Sequence, residues 1–177
     1  MKEILVFTDG SAVANGINKG KGGFGTYFPN FNNKTLVYSM GFENTKTGRM
    51  EIMGLLFAIL AFNKSEKTQV LLRVFSDSEY VIKSFTENRL ERWIEAGWTN
   101  SSGNVANRDL WERVLEAIEE RPFLTLQFQH IKSHQVERER DPAKKLILLQ
   151  DEHIRGNFIA DKLADYRRHK ILLKIEF

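Results

Sequence analysis

Cysteine is absent from this chain of 177 residues. Its absence excludes disulfides, thiolate zinc sites, iron–sulfur clusters and cysteine nucleophiles, and is compatible with a cytoplasmic, reducing location. Proline is scarce, at three residues, and no low-complexity segment or internal repeat occurs. No apolar run is long enough to cross a membrane, and the opening stretch meets Asp9 before a signal-peptide core could form. Neither a membrane partner nor a secretory signal is therefore expected. A large excess of one charge is also lacking: 26 Lys and Arg stand against 23 Asp and Glu, so disorder through self-repulsion is not expected. A Walker A sequence is missing too, which removes P-loop nucleotide hydrolysis.

What is there is a globular composition, 42% hydrophobic and 28% charged. A chain of this size suggests one domain over residues 1–177, burying roughly 70% of its unfolded surface. The net charge of +3 is a mild sign of a polyanionic partner. Lys19 and Lys21 lie in a glycine-rich stretch, and Lys162, Arg167, Arg168, Lys170 and Lys174 form a basic tail, whereas residues 87–113 hold four Arg and five acids. Charge alone describes a solvated face as readily as a binding surface.

Residues 3–8 form a short apolar, β-branched run that predicts a buried strand ending at Asp9, Gly10 and Ser11. Runs at 25–28 and 35–42, separated by turn chemistry at 29–33, predict two further strands of an antiparallel meander. The pattern then changes. Residues 49–63, almost entirely apolar after their first turn, predict a buried helix. A strand at 70–75 and a helix at 77–88 follow. Residues 107–120 predict a helix with Leu110, Trp111, Val114, Leu115 and Ile118 on one stripe. A strand at 123–131 and a helix at 157–169 close the series. The order βββ-α-β-α-α-β-α predicts an α/β fold, a mixed sheet flanked by helices. Residues 135–155 begin as a charge run and turn apolar at 146–149, which reads as an inserted loop carrying a short helix.

Four acids stand where a hydrophobic core would not place them. Asp9 and Asp77 end hydrophobic strands, Glu51 lies in the first turn of an apolar helix, and Asp161 lies in the first turns of the last one. Each has an ordinary explanation: an Asx-turn for Asp9, a dipole contact for Glu51, an N-cap for Asp77, surface charge for Asp161. Yet two of them end strands that would be neighbours, where open α/β sheets place their sites. If the four converge, mutual repulsion raises their pKa values unless cations bind. An all-oxygen ligand set suits Mg²⁺ or Mn²⁺, and two such ions about 3.5–4 Å apart form the clamp used in phosphoryl displacement. The pattern points to a two-metal nuclease.

Six segments also occur in a recognisable order: Phe7 to Ser11, Gly22 to Gly25, Arg49 to Glu51, Ser76 to Val81, Ile131 to His134, and Gly156 to Asp161. Together they resemble type 1 ribonuclease H of the bacterial cellular kind, at that family's spacing apart from the insert before Gly156. Residues 93–98 and 107–111 resemble its handle region, so the resemblance covers essentially the whole chain. It implies a ribonuclease H-like fold, a five-stranded mixed sheet with three antiparallel strands and then parallel ones. It implies hydrolysis of the RNA strand of RNA–DNA hybrids, with 5′-phosphate and 3′-hydroxyl ends, by two Mg²⁺ ions for which Mn²⁺ can substitute. Asp9, Glu51, Asp77 and Asp161 are by this resemblance the catalytic metal ligands, and His134 assists water activation or product departure.

The same resemblance places contacts to the strand sugars at Gly10, Ser11, Asn15, Gly48, Glu51 and Glu79. It places a DNA-strand phosphate at Lys46 or Thr47 with Arg49 and Asn107, and substrate-facing aromatics between handle and core at Trp93 and Trp111. No small-molecule cofactor, preceding hybrid-binding domain or second subunit is implied. Trp98 is expected in the core, His130 and His169 are ordinary, and His153, beside Asp151 and Glu152, reads as surface charge rather than a metal ligand.

Three departures bear on substrate grip. Gly48 stands where the family has Asn or Gln, Glu79 replaces a common Gln, and the handle lacks its usual lysines, so fewer counterions leave on binding there. A weaker or redistributed grip is expected, with the Lys19–Lys21 loop and the basic tail compensating. Two other readings keep the fold. A catalytically idle nucleic-acid-binding module would lack at least one of the four carboxylates, and a DNA resolvase or exonuclease is disfavoured by the His134 segment and the Arg49-x-Glu51 helix start. Residues 20–25 fit G-x-G-x-x-G, but they open toward a strand rather than a helix, so a dinucleotide site is not expected.

Overall fold

The computed structural model describes residues 1–169. In chain order its elements are β1 (Lys2–Ala12), β2 (Gly22–Phe31), β3 (Lys34–Phe42), α1 (Thr47–Leu60), β4 (Val70–Ser76), α2 (Glu79–Thr86) and α3 (Arg89–Glu95). They continue with β5 (Thr99–Asn100), β6 (Gly103–Asn104), α4 (Arg108–Glu119), β7 (Leu124–His130), α5 (Gln135–Arg138), α6 (Pro142–Leu148) and α7 (Glu152–His169). The main sheet has the order β3-β2-β1-β4-β7, antiparallel through the first three strands and parallel from β1 to β4 to β7. This is the five-stranded mixed sheet that the sequence predicts.

Alternation along β1 sets the two layers. Ile4 and Val6 point into the larger core with Ile52, Leu55 and Ile59 of α1 and with Val114 and Trp111 of α4. Phe7 points the other way, where it stacks on Phe75 of β4, ring centroids 5.0 Å apart, and meets Ala160 of α7. Two glycines let the helices come close on the two faces. A Cβ at Gly10 would overlap the backbone nitrogen of Glu51, and a Cβ at Gly25 would overlap the carbonyl oxygen of Ala160. Gly23 continues the second channel, its absent Cβ standing 2.7 Å from the Ala164 carbonyl. Helix α1 thus seats on one face of the β1 terminus and α7 on the other.

Several boundaries differ from the sequence reading, each for a local reason. β2 begins at Gly22 rather than Gly25, because Gly22 and Gly23 pair with Ala12 and Ser11 of a β1 that runs on past Asp9. It also continues through Pro29, where the register shifts between Phe28 and Phe31 and a proline is tolerated. The turn tightens to Asn32 and Asn33, both at positive φ (52° and 65°), as a two-residue hairpin turn requires. Helix α1 starts at Thr47, so Glu51 lies beyond the first turn. Helix α2 is capped by Ser78, whose hydroxyl accepts the Val81 amide, so Asp77 is not the N-cap. Helix α7 starts at Glu152, five residues earlier than expected, which places Asp161 in mid-helix. The handle holds α3 and the small β5–β6 hairpin.

Replacing Gly25 by Ala is expected to lower stability by about 1–3 kcal/mol, because α7 must lift off the sheet to admit the methyl group. Chemical denaturation measures this. A midpoint unchanged from wild type would show that the close approach is not needed.

Candidate active site

The C-terminal ends of β1 and β4 bring Asp9 and Asp77 side by side, α1 delivers Glu51 from one face, and α7 delivers Asp161 from the other. All four line one cleft of about 270 Å³ with Gly10, Ser11, Thr47, Ser133 and His134. Asp9 is the deepest, 8% exposed, and its Oδ1 accepts the Gly10 amide at 2.7 Å. Burial first, then the charges of Asp77 and Asp161, hold its carboxyl well above the ordinary 3.8 despite that hydrogen bond. Burial also pushes Glu51 up, against a hydrogen bond from Ser78 that favours its charged form. Asp77 is raised by burial as well, opposed mainly by the nearby His134. Crowded, partly desolvated carboxylates of this kind suit hard cations with oxygen preference, and the donor set fits divalent magnesium or manganese.

His134 stands at the cleft mouth with its Nδ1 4.0 Å from Asp161 Oδ1. It takes a left-handed backbone conformation, φ 53°, at the N-cap of α5. Ser133, which the sequence reading passed over, lines the cleft beside it.

The remaining predicted contacts divide. Gly10, Ser11 and Thr47 line the cleft. Asn15 and Lys46 are exposed nearby on the β1–β2 and β3–α1 connections. Gly48 lies against Tyr80 and Asn107; a Cβ there would stand 3.4 Å from the Tyr80 ring and 3.7 Å from Asn107 Nδ2. Arg49 is engaged in a two-pronged ion pair with Asp109 at 2.8 and 2.7 Å, so its guanidinium ties α1 to α4. Glu79 is exposed and paired with Lys83 at 2.6 Å, which offsets its charge toward a nucleic acid. Trp93 is half-buried.

Trp111 is a correction. It is fully buried and cannot touch a substrate. Its indole donates to Tyr80 Oη at 2.9 Å, and Tyr80 donates onward to the Ala106 carbonyl, so it supports the floor under Gly48. Trp98 is buried as expected. His153 is a second correction: its ring stacks on Phe75, centroids 4.6 Å apart, because the early start of α7 turns it toward the sheet. The tail differs too. Arg167 donates to Ser39, Arg168 to Ser11 and Asp165, and Lys162 pairs with Glu137 and Asp161. Lys170 and Lys174 lie outside the described residues.

The raised carboxyl of Asp9 holds its proton in the folded protein at pH values where the unfolded chain, at an ordinary 3.8, has lost it. Its contribution to stability therefore falls as pH rises above that range toward the folded value. In the absence of metal, Asp9→Asn is expected to melt above wild type, with a gap that widens from about pH 4 upward. Each kcal/mol recovered should appear as about 2–4 °C. Calorimetry in EDTA at several pH values checks this, and a gap that narrows with rising pH would contradict it.

Known proteins resemble this chain in sequence and in fold. The RNase H family model matches residues 1–168. Ribonuclease H of Lachnoclostridium phytofermentans is 34% identical over 120 residues, 65% of this chain and 72% of that protein. Ribonuclease HI of Synechocystis sp. is 30% identical over 144 residues, 81% and 84% of the two chains. The fold overlays LC11-RNase H1, solved in complex with RNA/DNA hybrid, with a TM-score of 0.58 at 19% identity over 96% of this chain and 99% of that one. It also overlays the foamy viral protease-reverse transcriptase, solved with RNA/DNA hybrid, with a TM-score of 0.67 at 18% identity. That match covers 94% of this chain but spans only 20% of the viral one. By its family match and its curated relatives, this chain belongs to the ribonuclease H family of hydrolytic nucleases.

Proposed function

We propose that this protein is an endonuclease that hydrolyses the RNA strand of RNA–DNA hybrids. The convergence of Asp9, Glu51, Asp77 and Asp161 on one cleft carries this reading. The likeness in fold to proteins solved with RNA/DNA hybrid supports the choice of substrate. Those four carboxylates would hold two divalent cations, which when bound activate the attacking water and stabilise the departing oxygen.

The chain's own groups do the rest. Asp9, held by the Gly10 amide, sets the floor of the cleft, and Ser78 orients Glu51. Gly10 and Ser11 line the strand end without bulk, so a sugar edge can approach the backbone and its 2′-hydroxyl can be read there. Lys46, Thr47 and Asn107 are left to receive a backbone phosphate, since Arg49 is engaged by Asp109. His134, at the mouth, holds or delivers a proton as the P–O3′ bond breaks, leaving a 5′-phosphate and a 3′-hydroxyl. All four carboxylates come from one chain, so the site works in a monomer.

End-labelled RNA–DNA hybrid, RNA duplex, DNA duplex and single strands, each with Mg²⁺ and with EDTA, test the reading. Cutting is expected only in RNA of the hybrid and only with metal. Hybrid left intact by folded protein with Mg²⁺ and Mn²⁺ would favour a binding module instead, and cutting of DNA a DNA nuclease. Asp77→Asn is expected to lose about 10³-fold or more in single-turnover cleavage while still binding hybrid. His134→Ala is expected to slow cleavage by about 10²-fold without abolishing it.

A further inference from the structure

The segment that follows His134 is tied to the cleft by one cation. Glu137 of α5 lies 2.7 Å from the Lys162 ammonium, and the same ammonium lies 3.2 Å from Oδ2 of Asp161. The other oxygen of that carboxylate faces His134. Asp161 therefore stands between two basic groups, one from its own helix and one from the loop. The ligand atoms of His134, Glu137 and Asp161 all lie within 4.8 Å of one another. Such a cluster would suit a further metal ion, but the Lys162 ammonium already lies on two of its three members and opposes a second cation there.

The geometry of the loop gives this contact work to do. His134 holds a left-handed backbone conformation, which a residue with a side chain keeps only where its surroundings fix it. Helix α5 is four residues long, too short to hold itself together in water. Val136 is buried beneath it, and Glu137, next in sequence, reaches Lys162.

We propose that Lys162 is a positioning residue, whose ammonium clamped between Glu137 and Asp161 holds α5, and with it His134, against the catalytic carboxylate. The link to catalysis rests on the nuclease reading; the tether itself does not. It makes residues 135–138, which the sequence marks only as a charge run, part of the apparatus that presents His134.

Native trypsin cleavage after Arg138 reads the tether without reference to activity, since cleavage tracks the population of the opened segment. Lys162→Met and Glu137→Gln are each expected to speed that cleavage by about fivefold, as loss of a partly exposed ion pair allows, and Lys162→Arg to restore it. In single-turnover cleavage of hybrid, Lys162→Met is expected to slow wild type by about fivefold and to slow His134→Ala by less than about twofold. Unchanged tryptic cleavage in both variants would overturn the tether. An equal loss of rate in the His134→Ala background would overturn its link to the histidine. If wild type cuts no hybrid, the nuclease reading fails and the tryptic arm still decides the tether.

Discussion

Two helices press on opposite faces of a single strand end, and the site exists because both can come that close. Gly10 admits the backbone of α1 at Glu51, and Gly25 and Gly23 admit the backbone of α7 at Ala160 and Ala164. Any side chain in those channels would hold a helix off by the width of a methyl group, and close-packed interiors do not absorb such shifts locally. The reach of Glu51 and Asp161 over Asp9 is thus decided by atoms that are missing. The Phe7–Phe75 stack and the helix packing supply the apolar burial that offsets the repulsion of the carboxylates. The cleft is the part of the fold that works against stability.

The surface beside the cleft is built on the same economy of side chains. Gly48 lies over Tyr80, whose hydroxyl accepts the buried Trp111 indole, and Arg49 crosses from α1 to Asp109 on α4. Two groups that family resemblance assigns to substrate are therefore committed to joining helices. On the proposed function, the groups left to meet a nucleic acid here are Thr47, Asn107 and Lys46. A grip distributed in this way leans on shape and backbone approach more than on arginine forks.

The fold was legible where periodicity and position carry it. Short apolar runs announce β1 and β4, alternation announces β7, the longer apolar run announces α1, and acids ending hydrophobic strands announce Asp9 and Asp77. Glycine hides what it permits: β2 begins at Gly22 and Gly23, which have no side chain to alternate. The start of α7 is hidden because residues 152–155 carry the composition of the charged insert, although Asp151 caps them by accepting the amides of His153 and Ile154. His153 is hidden for the same reason, since its neighbours suggest a surface and only the helix phase turns it onto Phe75. Trp111 shows the opposite limit. A motif places it correctly in the chain, but burial decides that it supports the site rather than touching substrate. Lys162 and Glu137 lie 25 positions apart in the sequence, and no local pattern joins them.

The parallel pairing of β1 with β4 and of β4 with β7 has a consequence for how the chain is made. Asp9 leaves the ribosome about 150 residues before Asp161, and the partners of β1 on its parallel edge arrive only from residue 70 onward. Until α7 emerges, the channel over Gly23 and Gly25 is open and the cleft has three acids instead of four. The nascent chain can form its antiparallel meander early, because those contacts are local. The set of four carboxylates is complete only once α7 has docked, so the cleft is the last part of this sheet to be assembled.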